Sequence, residues 1–133
     1  MGALENIKLL LDLVANLEGL RRDMRRNAQG YKDNLAAGRP LIRVAEIARQ
    51  DANEYRRRLD WHRRFDTPGL LRNKLLDGLA RLNVPIQETL TAWQQLSAAA
   101  DTLAAAPMTT DAELVLASDA LLATVDGSDT LWE

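Results

Sequence analysis

Arginine is the residue type in this sequence whose number and spacing could support chemistry. A first cluster recurs along one side of a predicted helix and contains Arg21, Arg22, Arg25 and Arg26. A second cluster lies further along the chain and contains Arg56, Arg57, Arg58, Arg63 and Arg64. Guanidinium groups stay charged at physiological pH and bind carboxylates or phosphates in bidentate geometry. The two clusters therefore indicate a surface that binds acidic protein groups or phosphates.

The expected partners of these arginines differ with their neighbours in sequence. Some arginines follow an acid by four residues, in the favourable order on a helix, as in Glu18–Arg22 and Glu54–Arg58. Others are expected to pair with acids of another element or another molecule. The candidate contacts to a partner or to phosphate are Arg21, Arg22, Arg25, Arg26, Arg56, Arg57, Arg63 and Arg64. A salt-bridged face or protein interface is favoured, with nucleic-acid phosphates and an anionic membrane surface as alternatives.

Catalytic or metal-binding chemistry is not predicted from the remaining residues. His62 is the only histidine, and Asp66 is the only helical neighbour that could share a metal ion with it. A zinc site needs three or four ligands, and the chain has no cysteine to supply them. The sequence also lacks a glycine-rich phosphate loop and a nucleophile elbow. We therefore expect no catalytic residue, metal, cofactor or small-molecule substrate.

Basic and acidic residues are segregated along the chain, although its net charge is only −2. All 17 basic residues lie between Lys8 and Arg81, and the charged residues that follow are all acids. Two such halves attract each other, within one subunit or between subunits. The same asymmetry would also give the chain two faces for two partners.

A long N-terminal helix, predicted over residues 3–37, must position the first cluster. Its seam repeats every three or four residues and consists of Ile7, Leu10, Val14, Leu17, Arg21, Met24, Ala28, Tyr31 and Leu35. Arg21 is the one charged seam position, and the adjacent Leu20 can cover it. Gly19 and Gly30 each weaken the helix by about 1 kcal/mol relative to alanine. We consider either a break near Gly30 or a close approach of another helix at these glycines.

The second cluster must lie on a helix that runs antiparallel to the first. Gly38 and Pro40 predict a tight turn between the two helices, with Gly38 in the left-handed conformation. The second helix is predicted from Pro40 to about Phe65. Because the link is short, the two helices form a hairpin, and the two clusters could share one basic face of it.

Shorter helices are predicted to complete the bundle. Residues 66–68 form a start signal for a third helix. Pro85 either kinks this helix or starts a fourth, and we favour two helices with a break at Asn83–Val84. Thr110 and Glu113 form a predicted capping box that opens the last helix, which Gly127 closes. The sequence thus predicts an all-α helical bundle: a long N-terminal helix in an antiparallel hairpin, with two or three shorter packed helices.

Residues 1–127 are expected to form one helical-bundle domain, followed by a short acidic tail over residues 128–133. Leu131 and Trp132 make this tail a candidate docking peptide, with one large anchor beside charges that steer it. No apolar run approaches the ~20 residues needed to cross a bilayer, and the N-terminus does not resemble a signal peptide. The chain is therefore expected to be soluble and made in the cytoplasm.

Together these features favour a non-catalytic structural or assembly subunit. It would make helix-mediated contacts with copies of itself or with other proteins, for example as a component of a bacterial virus particle or tail. The alternative is a nucleic-acid-binding helical hairpin that places both arginine clusters on phosphates.

Overall fold

The computed structural model describes residues 3–60, 77 and 86–127, with the side chains of residues 12–60, 77 and 89–127. Four helices are described: α1 (Ala3–Ala36), α2 (Leu41–Asp60), α3 (Ile86–Ala105) and α4 (Asp111–Gly127). The predicted all-α fold is confirmed, because this part of the chain contains no strand and its helices pack against one another.

Part of the predicted architecture lies outside the described residues. The features concerned are the end of the second helix near Phe65, the helix from Asp66 to Leu82, the break at Asn83–Val84, the tail over residues 128–133, and the side chains of Ile7 and Leu10.

Two ion pairs fix the direction of α4 relative to α1. Arg25 binds Asp126 and Lys32 binds Asp119, each with an N–O distance of 2.8 Å. Seven residues forward along α1 therefore correspond to seven residues back along α4. The two helices are antiparallel, and α4 is the main packing partner of α1.

Polar contacts at both ends of α2 and α3 fix the direction of that pair. The indole Nε1 of Trp93 donates to the carbonyl of Leu59 at 3.1 Å. The guanidinium of Arg49 donates to the carbonyls of Ala104 and Ala106 at 3.0 and 3.2 Å. The carbonyls of Ala104 and Ala106 lie at the end of α3, where no amide of the same helix follows to bind them. α2 and α3 are therefore antiparallel, and the four helices form an up-down-up-down bundle.

The core contains one buried stripe from each helix. On α1 the buried side chains are Leu13, Leu17, Leu20, Met24, Ala28 and Tyr31. The predicted seam contains Val14 and Arg21 at the positions where the structure buries Leu13 and Leu20. Val14 and Arg21 are only partly buried. An α-helix has about 3.6 residues per turn, so a seam read with a period of 3.5 drifts along the helix. The predicted seam is therefore wrong by one residue at these two positions.

The turn between α1 and α2 is a Schellman motif. Gly38 has a φ of +83°, in the left-handed region that glycine adopts without a steric penalty. Its N–H donates to the carbonyl of Leu35, and the N–H of Arg39 donates to the carbonyl of Asn34, both at 3.0 Å. Pro40 then directly precedes the first residue of α2. The predicted tight turn and antiparallel hairpin are confirmed.

The last helix begins with the predicted capping box. The hydroxyl of Thr110 accepts a hydrogen bond from the Glu113 N–H at 3.1 Å. The Glu113 carboxylate accepts from the N–H and hydroxyl of Thr109, at 3.2 and 2.5 Å, and from the Thr110 hydroxyl at 3.2 Å. The hydrogen bonds from Thr109, followed by those from Thr110, lower the pKa of Glu113. Glu113 is therefore anionic at neutral pH.

Three polar contacts, one turn apart, set the register of α1 against α2. They are Asp23–Arg58 at 2.8 Å, Asn27–Tyr55 at 2.7 Å and Tyr31–Asp51 at 2.5 Å. Tyr31 and Tyr55 are each only 2 % exposed. An unpaired buried hydroxyl costs about 1–3 kcal/mol, so both tyrosines depend on these partners. A shift of α2 by one turn would break all three contacts at once.

α1 continues through both of its glycines, so the break considered near Gly30 does not occur. A Cβ built at Gly30 would meet no atom within 4 Å, and at Gly19 the nearest atom would be Arg58 Nη2 at 3.8 Å. Neither glycine therefore marks a close helix approach. Packing along α1 outweighs the low helix propensity of glycine.

Gly30 within α1 and Gly38 in the left-handed turn should respond oppositely to substitution by alanine. Gly30→Ala should raise the free energy of unfolding by about 1 kcal/mol, because alanine favours the helix and the site has room for Cβ. Gly38→Ala should lower it by about 1 kcal/mol or more, because Cβ is strained in the left-handed region. Urea unfolding of both variants measures the two signs. A gain at Gly38 or a loss at Gly30 would contradict this backbone geometry.

The Tyr31–Asp51 contact should be energetically coupled. Tyr31→Phe leaves the partly buried Asp51 carboxylate without its donor and should lower the free energy of unfolding by about 1–3 kcal/mol. Asp51→Ala should cost a similar amount, because it removes the carboxylate that accepts the hydrogen bond of the buried Tyr31 hydroxyl. The double variant should lose clearly less than the sum of the two, as chemical denaturation of all four proteins would show. Strictly additive losses would mean that the two side chains act independently.

Candidate protein-binding surface

Three arginines of the two predicted clusters lie at different helix–helix seams. Arg25 binds an acid of α4, Arg56 an acid of α3 and Arg58 an acid of α1. These three arginines therefore do not share the single basic face that the hairpin suggested, because the acids that they bind lie on different helices. Arg63 and Arg64 lie outside the described residues.

Asp23 is the acid at which the two clusters meet. Its carboxylate lies 2.8 Å from Arg58 of α2 and 3.1 Å from Arg26 of α1. The Asp23–Arg58 pair is only about one-third exposed, with side-chain exposures of 33 % and 34 %. Glu54, the predicted partner of Arg58, binds Arg57 instead. The prediction for Arg58 is wrong because this side chain lies against α1, where Asp23 is within reach.

Three further ion pairs join the basic helices α1 and α2 to the acidic helices α3 and α4. They are Arg25–Asp126, Lys32–Asp119 and Arg56–Asp101, each with an N–O distance of 2.8 Å. The attraction expected between the two halves of the chain thus acts within one molecule. Exposed pairs of this kind contribute only about 0.2–1 kcal/mol each. These pairs therefore add little to the free energy of unfolding, but they favour the packing of the basic helices against the acidic ones.

A pocket beside the α1–α2 turn carries arginines of a different kind. Arg39 and Arg43 are exposed and make no ion pair with any residue in the described ranges. They line a cavity of about 450 Å³ together with Asn34, Pro40, Val44 and Ile47. Ile47 is 47 % exposed, so part of this aliphatic side chain faces solvent. We call this surface the basic pocket.

The outer side of α3 and α4 carries a groove with almost no charge. It consists of two adjoining cavities, of about 400 and 550 Å³, that share Thr102, Ala106, Ala117 and Ala120. The other lining residues are Gln95, Ala98, Ala99, Leu103, Ala105, Pro107, Glu113, Leu116, Leu121, Ala123, Thr124 and Gly127. Glu113, near the α3–α4 turn, is the one charged residue among them. We call this surface the α3–α4 groove.

The walls of the α3–α4 groove suit the approach of another helix. Leu116 is 71 % exposed, and only Ile42 and Ile47 are comparable large hydrophobic residues among the described ones. Exposed groove residues recur three and four positions apart, at 98, 102 and 105 on α3 and at 116, 120 and 123 on α4. This spacing is that of a helix-packing seam. Small side chains also let a second backbone come close.

Sequence analysis did not identify the α3–α4 groove. Its signal in the sequence is a second set of small residues at helical spacing, offset from the buried stripe of each helix. On α4, for example, Leu114 and Leu121 are buried, whereas Leu116 and Ala120 are exposed. A sequence pattern with apolar residues on both sides of a helix does not by itself tell which side the core covers.

Arg21, Leu131 and Trp132 are also among the predicted site residues. Arg21 is partly buried on α1, and burial, followed by the charge of Arg25, lowers its pKa. Leu131 and Trp132, the candidate docking residues of the tail, lie outside the described residues.

The described part of the chain contains no group of three or more histidine, cysteine or carboxylate side chains that could hold a metal ion. No helix within the described ranges is long and apolar enough to span a membrane. His62 lies outside these ranges.

Asp23 should stabilise the hairpin because it binds arginines of both α1 and α2. Asp23→Asn should lower the free energy of unfolding by about 1 kcal/mol, a value moderated by the partial exposure of the pair. Asp33→Asn is the matched control, because Asp33 is exposed and accepts a hydrogen bond from Gln29 of its own helix. The control should stay within about 0.5 kcal/mol of the parent chain in urea unfolding. Equal losses in the two variants would contradict a linking role for Asp23.

Comparison with protein-family models, with curated proteins and with solved structures gives no match to this chain. No activity, ligand or partner of a relative can therefore be transferred to it. The basic pocket and the α3–α4 groove have to be interpreted from their own contacts, exposure and charge.

Proposed function

We propose that this chain is a non-catalytic structural subunit that assembles with copies of itself through helix-mediated contacts. The observation that carries the proposal is the α3–α4 groove, with its walls of small side chains and its exposed Leu116. Covering apolar surface is favourable by about 25 cal/mol per Å² removed from water. A larger complex, such as a bacterial virus particle or tail, is the setting in which we place such a subunit.

The ion pairs of the other helices support the same proposal. Arg25, Lys32 and Arg56 bind acids of α3 or α4, so three charges of the basic half are balanced inside the molecule. These pairs also hold Asp101, Asp119 and Asp126 at the seams with α1 and α2. The groove on the opposite side of α3 and α4 is consequently almost free of charge, which is a property of surfaces that become buried in protein contacts.

The alternative function is nucleic-acid binding by the arginines. Arg39 and Arg43 would be available for it, since they make no ion pair within the described ranges. This alternative is less favoured, because five of the other described arginines lie beside a carboxylate that would repel a phosphate. Salt-sensitive binding of a single-stranded oligonucleotide, measured by fluorescence anisotropy, would favour it over the assembly proposal.

A charge placed in the α3–α4 groove should weaken self-association. The parent chain should show a mass above the 14.8 kDa of one copy when light scattering is recorded at rising protein concentration. Ala120→Glu should weaken this association about tenfold or more, because the contact would bury an unpaired carboxylate. Ala120 is exposed, so the substitution should leave the bundle folded.

Ala15→Glu is the matched control for this measurement, since Ala15 is an exposed alanine on α1 outside the groove. It should associate like the parent chain. A parent mass of 14.8 kDa at every concentration and salt level would contradict the assembly proposal. Equal weakening by Ala120→Glu and Ala15→Glu would instead show that association uses another surface.

A further inference from the structure

We infer that the α3–α4 groove of one copy binds the basic pocket of the next copy, so that the chain assembles head to tail. This inference rests on the proposed function and names the surface that occupies the groove. Such a contact is heterologous, because it joins two different patches. In a short open assembly, one groove and one basic pocket therefore stay unoccupied at the two ends.

Charge complementarity favours the basic pocket as the occupant. Its only charged lining residues are Arg39 and Arg43, which find no acid among the described residues. Among the described residues, the only charged one that lines the groove is Glu113, an anion at neutral pH that faces no base there. A second copy of the groove would offer Glu113 no positive charge. The basic pocket offers it two, and opposite charges on facing patches also suppress wrong pairings.

The apolar parts of the two surfaces are complementary as well. Ile47 stands at the basic pocket and is 47 % exposed, and Leu116 stands at the groove and is 71 % exposed. Each of them lies beside a cavity, of about 450 and 550 Å³ respectively. Each surface therefore offers one aliphatic side chain and one cavity to the other. This is the arrangement of a knob and a hole on both sides of a contact.

Both surfaces lie at the same end of the bundle. The basic pocket adjoins the α1–α2 turn, and the charged end of the groove adjoins the α3–α4 turn at Pro107. These turns share one end, because α1 and α3 both run toward it. A contact between them therefore places neighbouring copies side by side. Repetition of it closes a ring if the rotation between copies allows, and otherwise continues as an open array.

The small size of the two patches implies a weak contact. Interfaces below about 1,200 Å² of total buried surface belong to transient complexes. The pairing of Arg39 and Arg43 with Glu113 is solvent-accessible at its edges, so added salt should screen it. The average mass in solution should thus rise with protein concentration and fall with ionic strength.

A complementation experiment tests the head-to-tail contact. Ile47→Asp disables the basic pocket, and Leu116→Asp disables the groove, whereas each variant keeps the other surface intact. Both positions are exposed, and circular dichroism verifies that each variant folds. Light scattering on a sizing column should give the mass of one copy for each variant alone. An equimolar mixture should give a complex of two chains, because the mixture restores one intact contact and no second one.

Other results would overturn the inference. If the mixture stays monomeric while the parent chain assembles, the contact is not between these two surfaces, although the proposed function survives. If Leu116→Asp is monomeric but Ile47→Asp assembles like the parent chain, the groove binds a second groove or another part of the chain. If the parent chain is itself monomeric at all concentrations, the proposed function fails together with this inference.

A second pair of variants covers the case in which an aspartate in place of an aliphatic residue unfolds the bundle. Arg43→Glu places a carboxylate in the basic pocket, and Thr102→Glu places one in the groove; both positions are exposed. Each should raise the dissociation constant of self-association about tenfold or more, and their mixture should again give the complex of two chains. Unchanged association of either variant would count against the head-to-tail contact.

Discussion

The segregation of charge along the chain constrains the arrangement of all four helices. α3 and α4 contain acids and no lysine or arginine, so they cannot neutralise one another. Packing α1 on α4 and α2 on α3 places a base opposite Asp101, Asp119 and Asp126. Each ion pair contributes little free energy, but a bundle in which α3 and α4 packed in other positions would lose all three pairs. Charge thus selects the arrangement, and the buried apolar stripes stabilise it.

This arrangement also determines the character of the outer surfaces. Asp101, Asp119 and Asp126 face the seams with the basic helices, and the described groove on the other side is lined mostly by alanine, threonine and leucine, with Glu113 as its one charged residue. The turn between α1 and α2 has the opposite character, because Arg39 and Arg43 lie beyond the reach of the acids that bind the other arginines. Among its described residues, a molecule with so small a net charge therefore presents a largely apolar groove that contains one carboxylate and a pocket that contains two arginines. The assembly proposal depends on this pairing.

The sequence predicts features that depend on local chemistry and misses those that depend on packing. Gly38 and Thr110 mark a helix end and a helix start because left-handed backbone and capping hydroxyls act within a few residues, and both predictions are confirmed. The predicted pairing of Arg58 with Glu54 is wrong, because spacing along one helix cannot show that Asp23 of another helix lies closer. The α3–α4 groove was missed because two apolar sides of a helix look alike until the core covers one of them.

The pairing of α1 with α4 has a consequence for synthesis of the chain. The main packing partner of α1 begins at Asp111, about 75 residues after α1 ends at Ala36. At a translation rate of about 5–20 residues per second, roughly 4–15 s pass between synthesis of the end of α1 and synthesis of the start of α4. Until α3 is synthesised, the hairpin of α1 and α2, closed by the Gly38 turn and by the Tyr31–Asp51 contact, is the one described helix pair that can be complete. The apolar stripe of α1 that α4 later covers is meanwhile exposed on the nascent chain, where a chaperone or a neighbouring nascent copy can reach it.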